Sequence, residues 1–323
     1  MADSLGMLIA FLSAAVLAST PLIYATVGEI ITQKAGNLNL GVEGMMYMGA
    51  IAGFWICLNT GSLIAAVLGS FIAGGLGALI YAFLTVTLKA NQNVTGLILT
   101  IFGTGFANFC GDYLMFKSAS SFVKLPEDVT ARVIGFKIPL LSEIKYLGQL
   151  LFQYNMFVYL GVIIAVVAGL YLNKTKKGLN LRAVGENPAA ADAAGINVPL
   201  NKYVHIIIGG GLCGIGGMYI ALMGSTWTNN CVNGLGWLAV ALVIFASWSP
   251  VKAISGSILF GALRVVRFYV PGSVKNLINI PTAFYTMLPY LVTVLVLIAA
   301  SIKMAREKQQ PRGCGVNYFR EER

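Results

Sequence analysis

Long apolar stretches separated by short polar ones dominate the pattern of this chain. A helix needs about 20 apolar residues to cross the hydrocarbon core of a bilayer, and nine stretches approach or exceed that length. They cover Met7–Val27, Gly36–Leu58, Leu63–Leu88, Val94–Phe116, Phe152–Leu172, Tyr203–Met223, Leu235–Trp248, Ala253–Val270 and Thr282–Ile302. The seventh is short for a straight helix, so we expect an all-α polytopic membrane protein with about nine (eight to ten) transmembrane helices.

The polar stretches set the expected orientation. The loop 173–202 carries five lysines and arginines and the segment after Ile302 carries six. Four predicted spans separate these segments, so both lie on the same side, and the positive-inside rule makes that side cytoplasmic. We therefore expect a single transmembrane domain over 1–302, with an external loop at 117–151, a cytoplasmic loop at 173–202 and a cytoplasmic basic tail at 303–323. Nine spans place the N-terminus outside.

Composition supports lipid as the solvent. Hydrophobic residues make up 57% of the chain and charged residues only 11%, where a soluble domain has about a quarter charged. The net charge of +10 would suggest nucleic acid in a soluble protein. In a membrane protein the same charge is a topology signal, so we expect membrane lipid and no nucleic acid as a partner.

Catalytic and metal-binding chemistry finds little support in the sequence. The five cysteines form no C-x-x-C pair, His205 is the only histidine, and there is no G-x-x-x-x-G-K-[ST] phosphate loop. Gly209–Gly214 fits G-x-G-x-x-G but lies inside an apolar stretch, where close helix packing explains it better than a dinucleotide site. We expect neither an enzyme nor a metal site.

A weak internal repeat relates two segments of the chain. Asn39–Gly53 resembles Asn233–Ser247, and both precede a span rich in Gly and Ala. The copies begin five predicted crossings apart, so they have opposite orientations. Inverted repeats of this kind are common in transporters.

Residues 36–44 interrupt the start of the second span with three glycines, two asparagines and Glu43. One interpretation is an ordinary turn, with Asn37 or Asn39 as the N-cap and Glu43 facing the helix dipole. The other is a broken helix at membrane depth, which is tolerated only where it is buried in protein or lines a wet cavity.

A second motif, Arg182–Ile196, lies in the basic loop. Asn187 is a good N-cap, Pro188 suits the first helical position, Ala189–Ala194 favours helix, and Gly195 can supply the C-cap. A helix of about two turns with a surface of small residues has little core of its own. It is suited to insertion into a groove of another protein.

These two motifs together resemble the permease subunit of bacterial ABC importers. The sequences are GNLNLGVEG at 36–44 and RAVGENPAAADAAGI at 182–196, and the likeness extends to 90–105, 138–142 and 236–245. The subfamily includes ribose, branched-chain amino-acid and nucleoside permeases, and the chain most resembles the smaller permease of nucleoside-type systems. Departures are Ala246–Ser249, where relatives usually carry a glycine, and the tail 311–323, which has no match in the family.

The resemblance implies a type II importer fold in the bacterial inner membrane, with a broken helix near 36–44. It implies that the loop 182–196 couples to ABC ATPase subunits, which bind ATP and Mg, so that this chain needs no cofactor. The expected coupling residues are Arg182, Gly185, Glu186, Asn187, Pro188, Asp192 and Gly195. Other expected partners are a second, homologous permease and a periplasmic or lipoprotein substrate-binding protein.

The resemblance also places the substrate path near the broken helix. Polar residues expected close to it are Asn37, Asn39, Glu43, Asn91, Asn93, Thr95, Asn108, Trp227, Asn233 and Trp237. Both tryptophans have an alternative interpretation as membrane-interface anchors. Arg264 and Arg267 fit either snorkelling to the headgroups or contact with an acidic group of the solute.

We expect the solute to be a nucleoside, with riboflavin and then ribose-like sugars as alternatives in the same machine. From a different class, an ion-coupled secondary transporter is the alternative. Such a transporter would need a coupling carboxylate within its spans, for which Glu43 and Asp112 are the candidates.

Overall fold

The computed structural model describes residues 2–118, 122–134, 147–269, 281–303 and 309–319, and these residues form helices with a single isolated β-bridge. The first helices are α1 (Ala2–Lys34), α2 (Val42–Thr60), α3 (Leu63–Ala82), a π-helical turn (Phe83–Thr87) and α4 (Gln92–Lys117). Short helices α5 (Glu127–Ile134) and α6 (Leu147–Leu151) follow. Then come α7 (Met156–Lys174), α8 (Lys176–Glu186), α9 (Pro188–Ala193), α10 (Val198–Met223), α11 (Leu235–Phe245), α12 (Pro250–Tyr269) and α13 (Thr282–Lys303).

Each of the nine apolar stretches overlaps a helix, which confirms the all-helical prediction for the described residues. Among the described residues, five helical stretches are long and apolar enough to cross a membrane: Gly6–Lys34, Leu63–Thr87, Gln92–Lys117, Met156–Lys174 and Val198–Met223. The count of about nine spans is therefore not confirmed, and crossings by α2, α11, α12 and α13 stay predictions.

Side-chain caps explain where several helices begin. Asn91, Asn155, Asn187 and Asn197 precede α4, α7, α9 and α10, and each accepts a hydrogen bond from a backbone N–H of the first turn. At the other end of α9, Gly195 adopts a positive φ of 81° while Ile196 N–H donates to the Ala191 carbonyl at 3.0 Å. The predicted helix of the 182–196 motif, with its Asn187 cap, is thereby confirmed.

Helix α10 is the centre of the packing. Its glycines allow the backbones of α2 and α3 to approach directly: a Cβ at Gly214 would lie 3.1 Å from Gly74 Cα, and one at Gly217 would collide with the Met46 carbonyl. Small residues at helix crossings permit this contact distance in membranes. The Gly209–Gly214 stretch therefore serves helix packing, as the sequence indicated.

Contacts between loops define two opposite ends of the molecule. At one end, Lys89–Gln92 and the 182–196 motif meet residues 311–319 through hydrogen bonds. At the other end, Leu125 N–H donates to the Ser225 carbonyl at 2.8 Å and Trp227 N–H to the Val123 carbonyl at 2.9 Å. The polar segments at 173–202 and in the tail thus share one end, opposite the described part of 117–151. Residues 119–121, 135–146, 304–308 and 320–323 of the expected loop and tail lie outside the described residues.

The loop expected at 173–202 is mostly helical. Helices α8 and α9 occupy Lys176–Glu186 and Pro188–Ala193, and α10 begins at Val198, ahead of the apolar stretch that starts at Tyr203. Helix α10 therefore begins before its apolar stretch. The Asn197 cap satisfies the first backbone N–H groups, and Pro199 suits the first helical turn.

Candidate substrate path and coupling surface

The break between α1 and α2 lies inside the protein. Asn37 and Asn39 are each only 1% exposed, and a Cβ at Gly44 would lie 2.9 Å from Thr100 Cα. Thr100 is about two helical turns beyond the start of α4, so α2 begins well below the end of the molecule. Irregular backbone at this depth is surrounded by protein, as a broken membrane helix requires.

Neither asparagine of the break caps α2. The N-cap is Gly41, which makes no side-chain hydrogen bond, and the Asn39 Oδ1 instead accepts the Gly41 N–H at 2.8 Å. Asn39 therefore fixes the turn before the helix, and the simple capping interpretation is wrong. Asn37 Oδ1 is buried and has no hydrogen-bond partner.

Glu43 joins the two segments, 39–53 and 233–247, for which the sequence predicts an internal repeat. It lies in the first turn of α2, and its carboxylate accepts hydrogen bonds from Gly234 N–H at 2.8 Å and Gly236 N–H at 2.6 Å, at the start of α11. The positive N-terminal ends of α2 and α11 therefore converge on one buried carboxylate. Glu43 satisfies backbone donors that would otherwise be unpaired.

The short seventh apolar stretch is explained by the path of the chain before it. The Phe54 and Trp227 rings are 5.6 Å apart, Asn233 N–H donates to Tyr47 Oη at 3.2 Å, and Gly236 meets Glu43. Residues 227–236 thus run back along α2 in the opposite direction before α11 begins. Helix α11 needs only 11 residues because it starts inside the protein.

A second buried carboxylate, Glu29, lies near the break. It is fully buried in α1, and its Oε1 accepts Gln33 Nε2 at 2.8 Å and Asn39 N–H at 3.2 Å. Trp248 Nε1 donates to Gln33 Oε1 at 2.7 Å, which ties the end of α11 to α1. Sequence reasoning missed Glu29 because the predicted first apolar stretch ends at Val27. The i, i+4 spacing of Glu29 and Gln33 on a helix could have indicated their hydrogen bond.

The predicted polar residues of α4 separate into two groups. Asn91 caps the helix and is exposed with Asn93, while the Thr95 hydroxyl donates to the Asn91 carbonyl at 2.8 Å. Asn108 lies about 24 Å along the helix axis from the start of α4. Its Nδ2 donates to Asn230 Oδ1 at 3.0 Å, and its Oδ1 accepts the Asn230 N–H at 3.2 Å. The structure therefore places these residues along the length of α4.

The two tryptophans occupy different environments. Trp227 is 2% exposed, packs against Phe54 and donates to Asn229 Oδ1 at 3.1 Å, whereas Trp237 at the start of α11 is 38% exposed. The position of Trp227 is that of a core residue. Trp237 is available to a partner or solute.

A cavity of about 600 Å³ opens beside the start of α11. Residues that contribute to its wall are Asn233, Arg264, Arg267, Tyr285 and Tyr290. Its size is in the range of small-molecule sites. Sequence reasoning left the role of the arginines open and missed the tyrosines, because α13 shows no motif beyond its apolar pattern.

The 182–196 motif, here called the coupling motif after its predicted role, has an inner and an outer surface. Gly185 is buried, and a Cβ there would collide with the Lys34 carbonyl at the end of α1, while Val184, Ala191 and Val198 form a small core. Glu186, Asn187, Ala190, Ala193 and Ala194 are exposed. Of the expected coupling residues, Glu186, Asn187 and Gly195 are exposed, Arg182, Pro188 and Asp192 are half-buried, and Gly185 is packed against α1.

His205 has two hydrogen-bond partners within the protein. The His205 imidazole bridges the Tyr171 hydroxyl at 2.8 Å and the Asn201 carbonyl at 2.7 Å, which is a structural arrangement. Within the described ranges, no group of three or more His, Cys, Asp or Glu side chains is placed to hold a metal ion.

Comparison with known families identifies the class of protein. Residues 10–297 match the family described as "Branched-chain amino acid transport system / permease component", and the chain belongs to this family. It is a multi-pass membrane permease subunit of an ABC transporter, a transport component and not an enzyme. Membership of the family implies ATPase and substrate-binding partners.

Three relatives are similar over nearly the whole chain. A permease protein named TsgC13 from Haloferax volcanii, whose assignment to a glucose ABC transporter is itself provisional, is 35% identical over 90% of this chain and 92% of its own. The nucleoside ABC transporter permease protein NupC of Lactococcus lactis is 31% identical over 94% of both chains. The guanosine ABC transporter permease protein NupQ of Bacillus subtilis is 29% identical, covering 94% of this chain and 95% of its own.

Proposed function

We propose that this chain is a permease subunit that moves a nucleoside inward across the bacterial inner membrane, driven by separate ATPase subunits. The observation that carries the solute assignment is the similarity to NupC and NupQ over 94% of the chain. The 35% identity to TsgC13 favours a hexose as the second candidate. Riboflavin and ribose-like sugars remain alternatives from sequence resemblance only.

The chemistry of the proposed path suits a polar heterocyclic solute. The Asn108–Asn230 pair offers amide donors and acceptors, and the 600 Å³ cavity offers Asn233, Arg264 and two tyrosines. Amides match the hydrogen-bonding edges of a base and the hydroxyls of a sugar, and aromatic rings stack on flat heterocycles. Glu43, by contrast, is bonded to the start of α11, so its effect on the proposed substrate path is indirect: it positions that helix.

Coupling is proposed to occur at the exposed face of α9. Ala190, Ala193 and Ala194 leave room for a groove of the ATPase to approach the backbone, and Glu186 and Asn187 flank them. Rigid-body movement of a docked ATPase would then reach α1 through the contact of Gly185 with Lys34. This end of the molecule is proposed to be cytoplasmic, together with the C-terminal tail, because basic loops favour that side.

Assembly with a second, homologous permease and a periplasmic or lipoprotein binding protein completes the proposal. The described side chains of α13 facing outward, among them Val294, Leu295 and Ile298, are each more than half exposed. Such a surface is compatible with lipid or with a partner permease.

The solute is tested by reconstituting the complete transporter in proteoliposomes and measuring ATP-dependent uptake of labelled guanosine, uridine, glucose, ribose and riboflavin. We expect nucleosides to be accumulated and to compete with one another. Uptake of glucose that nucleosides do not inhibit would overturn the nucleoside assignment. Uptake that persists without ATP but stops when the proton gradient is collapsed would favour the ion-coupled transporter.

The coupling surface is tested with Ala190→Trp, which places a large side chain on the exposed face of α9. We expect loss of ATPase co-purification without loss of the permease from the membrane. Ala131→Trp is the matched control, because Ala131 is also exposed but lies on α5 at the opposite end. Normal ATPase binding by Ala190→Trp would contradict the proposed surface.

A further inference from the structure

The segment 309–319, here called the C-terminal clasp, folds back onto the coupling motif. Gly313 N–H donates to the Gly185 carbonyl at 2.8 Å, and the Tyr318 hydroxyl donates to Asp192 Oδ2 at 2.8 Å. Tyr318 also packs on the small core of the motif, formed by Val184, Ala191 and Val198. The clasp therefore holds both ends of α9.

The same segment also reaches the break between α1 and α2. Asn317 Nδ2 donates to the carbonyls of Lys89 at 2.6 Å and Ala90 at 3.1 Å, and Asn317 Oδ1 accepts Gln92 Nε2 at 3.2 Å. Gln92 Oε1 in turn accepts the Leu38 N–H at 2.8 Å. A continuous series of contacts thus leads from Asp192 through neighbouring clasp residues to Leu38.

The clasp leaves most of the outer surface of the coupling motif free, although the Arg312 N–H donates to Glu186 Oε2 at 3.4 Å at one edge of it. Asn187, Ala190, Ala193 and Ala194 stay exposed, so the clasp covers a different side of α9 from the one proposed to meet the ATPase. Within the clasp, burial raises the pKa of the Cys314 thiol to about 12, so the thiol is neutral and packs as a small apolar side chain. This segment is built as an ordered part of the fold.

We propose that the C-terminal clasp is a positioning segment for transport, which transmits movement of the coupling helix to the broken helix between α1 and α2. The inference rests on the proposed function, because it assumes that α9 is moved by an ATPase. When α9 moves, Tyr318 and Asn317 move with it, and the Gln92–Leu38 contact carries the displacement to the turn before α2. The direct contacts of Gly185 with Lys34 and Gly36 reach only the end of α1 and the first residues of the break, whereas the Gln92 contact reaches Leu38 further along it.

The test uses the complete reconstituted transporter and measures solute molecules taken up per ATP hydrolysed. Tyr318→Phe removes the hydroxyl bound to Asp192 but keeps the packed ring, and Asn317→Ala removes the bridge to Gln92. Each change deletes hydrogen bonds whose net value corresponds to about a two- to ten-fold change in an equilibrium. We expect uptake per ATP to fall by that order in each variant, with ATP hydrolysis maintained.

Val316→Ala is the matched control, because Val316 lies in the clasp but is 62% exposed, and we expect wild-type coupling from it. Binding of the ATPase is measured in parallel and should be unchanged in all three variants. A purely structural role of the clasp would lower protein yield and thermal stability without changing the ratio of uptake to ATP.

An unchanged ratio in the Tyr318→Phe, Asn317→Ala double variant would overturn the inference. Faster uptake with tighter ATPase binding would also overturn it, because the clasp would then be a competitor of the ATPase. Both results require a wild-type complex that transports. A wild-type complex that neither binds an ATPase nor shows ATP-driven uptake would instead refute the proposed function, and the inference with it.

Discussion

At the scale of single residues, buried polar groups near the break are organised around two carboxylates. Glu43 accepts N–H groups at the start of α11 while lying in the first turn of α2, and Glu29 accepts from Gln33 and from the backbone of Asn39. A buried backbone donor without an acceptor is costly, and both side chains supply acceptor oxygens where the backbone is irregular. These carboxylates therefore hold the irregular segments in place.

Glu43→Gln should weaken the junction of α2 and α11. A glutamine retains one acceptor oxygen, but its NH₂ group meets the second backbone N–H and the favourable charge at two helix N-termini is lost. We expect a loss of about 1.5–3 kcal/mol, measured as a lower unfolding temperature of the purified permease. Glu127→Gln, in the exposed first turn of α5, is the control and should leave that temperature unchanged. Equal stability of the two variants would contradict the role of Glu43.

Trp248→Phe tests the link from α11 to α1. The substitution keeps most of the aromatic volume but removes the Nε1 donor, which leaves Gln33 Oε1 buried without that partner. We expect a cost of about 1–3 kcal/mol in the same thermal measurement. Trp55→Phe changes the same side chain at a position that is 37% exposed, and it should cost less. The hydrogen bond would be unimportant if both substitutions had the same effect.

At the scale of elements, the sequence predicted helices better than it predicted the breaks between them. The length of the apolar stretches predicted the long helices, and the Asn187 cap with Pro188 predicted α9. Both signals are local in the sequence. The geometry of the break was not predictable in the same way: Asn39 is a good N-cap by type, yet it bonds to Gly41 and leaves the cap to that glycine. The partners of Glu43 lie about 190 positions along the chain, so only the tertiary fold reveals them.

The same limit applies to the candidate site. The ten polar residues expected near the path were chosen by type and by resemblance, and the structure places Asn37 and Asn39 in the break but Trp227 in the core. The two segments of similar sequence, 39–53 and 233–247, meet at Glu43 and Gly236, but their likeness did not predict this contact. The 600 Å³ cavity combines α11, α12 and α13, and no single segment carries a pattern for it.

Gly236→Ala should disrupt the start of α11. A Cβ at Gly236 would lie 2.5 Å from the Cα and N of Glu43 and 2.8 Å from its carboxylate, so the two helix N-termini would have to separate. Overpacking of this kind costs typically 1–3 kcal/mol. Gly105→Ala is the matched control, since nothing lies within 4 Å of a Cβ there and alanine favours helix by about 1 kcal/mol. The thermal stability of the two variants should change in opposite directions.

At the scale of the whole molecule, contacts between distant segments divide the protein into two ends. One end brings together the basic 173–202 region, the α3–α4 connection and the C-terminal clasp, and the other joins the described part of 117–151 to the chain after α10. The sequence predicted this grouping, because the number of predicted spans between two segments decides whether they lie on the same side. It did not predict that residues 309–319 would pack against the coupling motif, because a charge count carries no information about contacts between segments on the same side.

Cysteine accessibility in intact cells tests the proposed sidedness of the two ends. In a background with the five native cysteines replaced, Ala194→Cys and Val316→Cys are exposed at the end proposed to be cytoplasmic, and Ala131→Cys is exposed at the opposite end. A membrane-impermeant maleimide should label only Ala131→Cys in cells with an opened outer envelope, and all three after the cytoplasmic membrane is disrupted. Labelling of Ala194→Cys in intact cells would reverse the orientation, and labelling of Ala194→Cys and Val316→Cys from different sides would contradict the docking of the clasp itself.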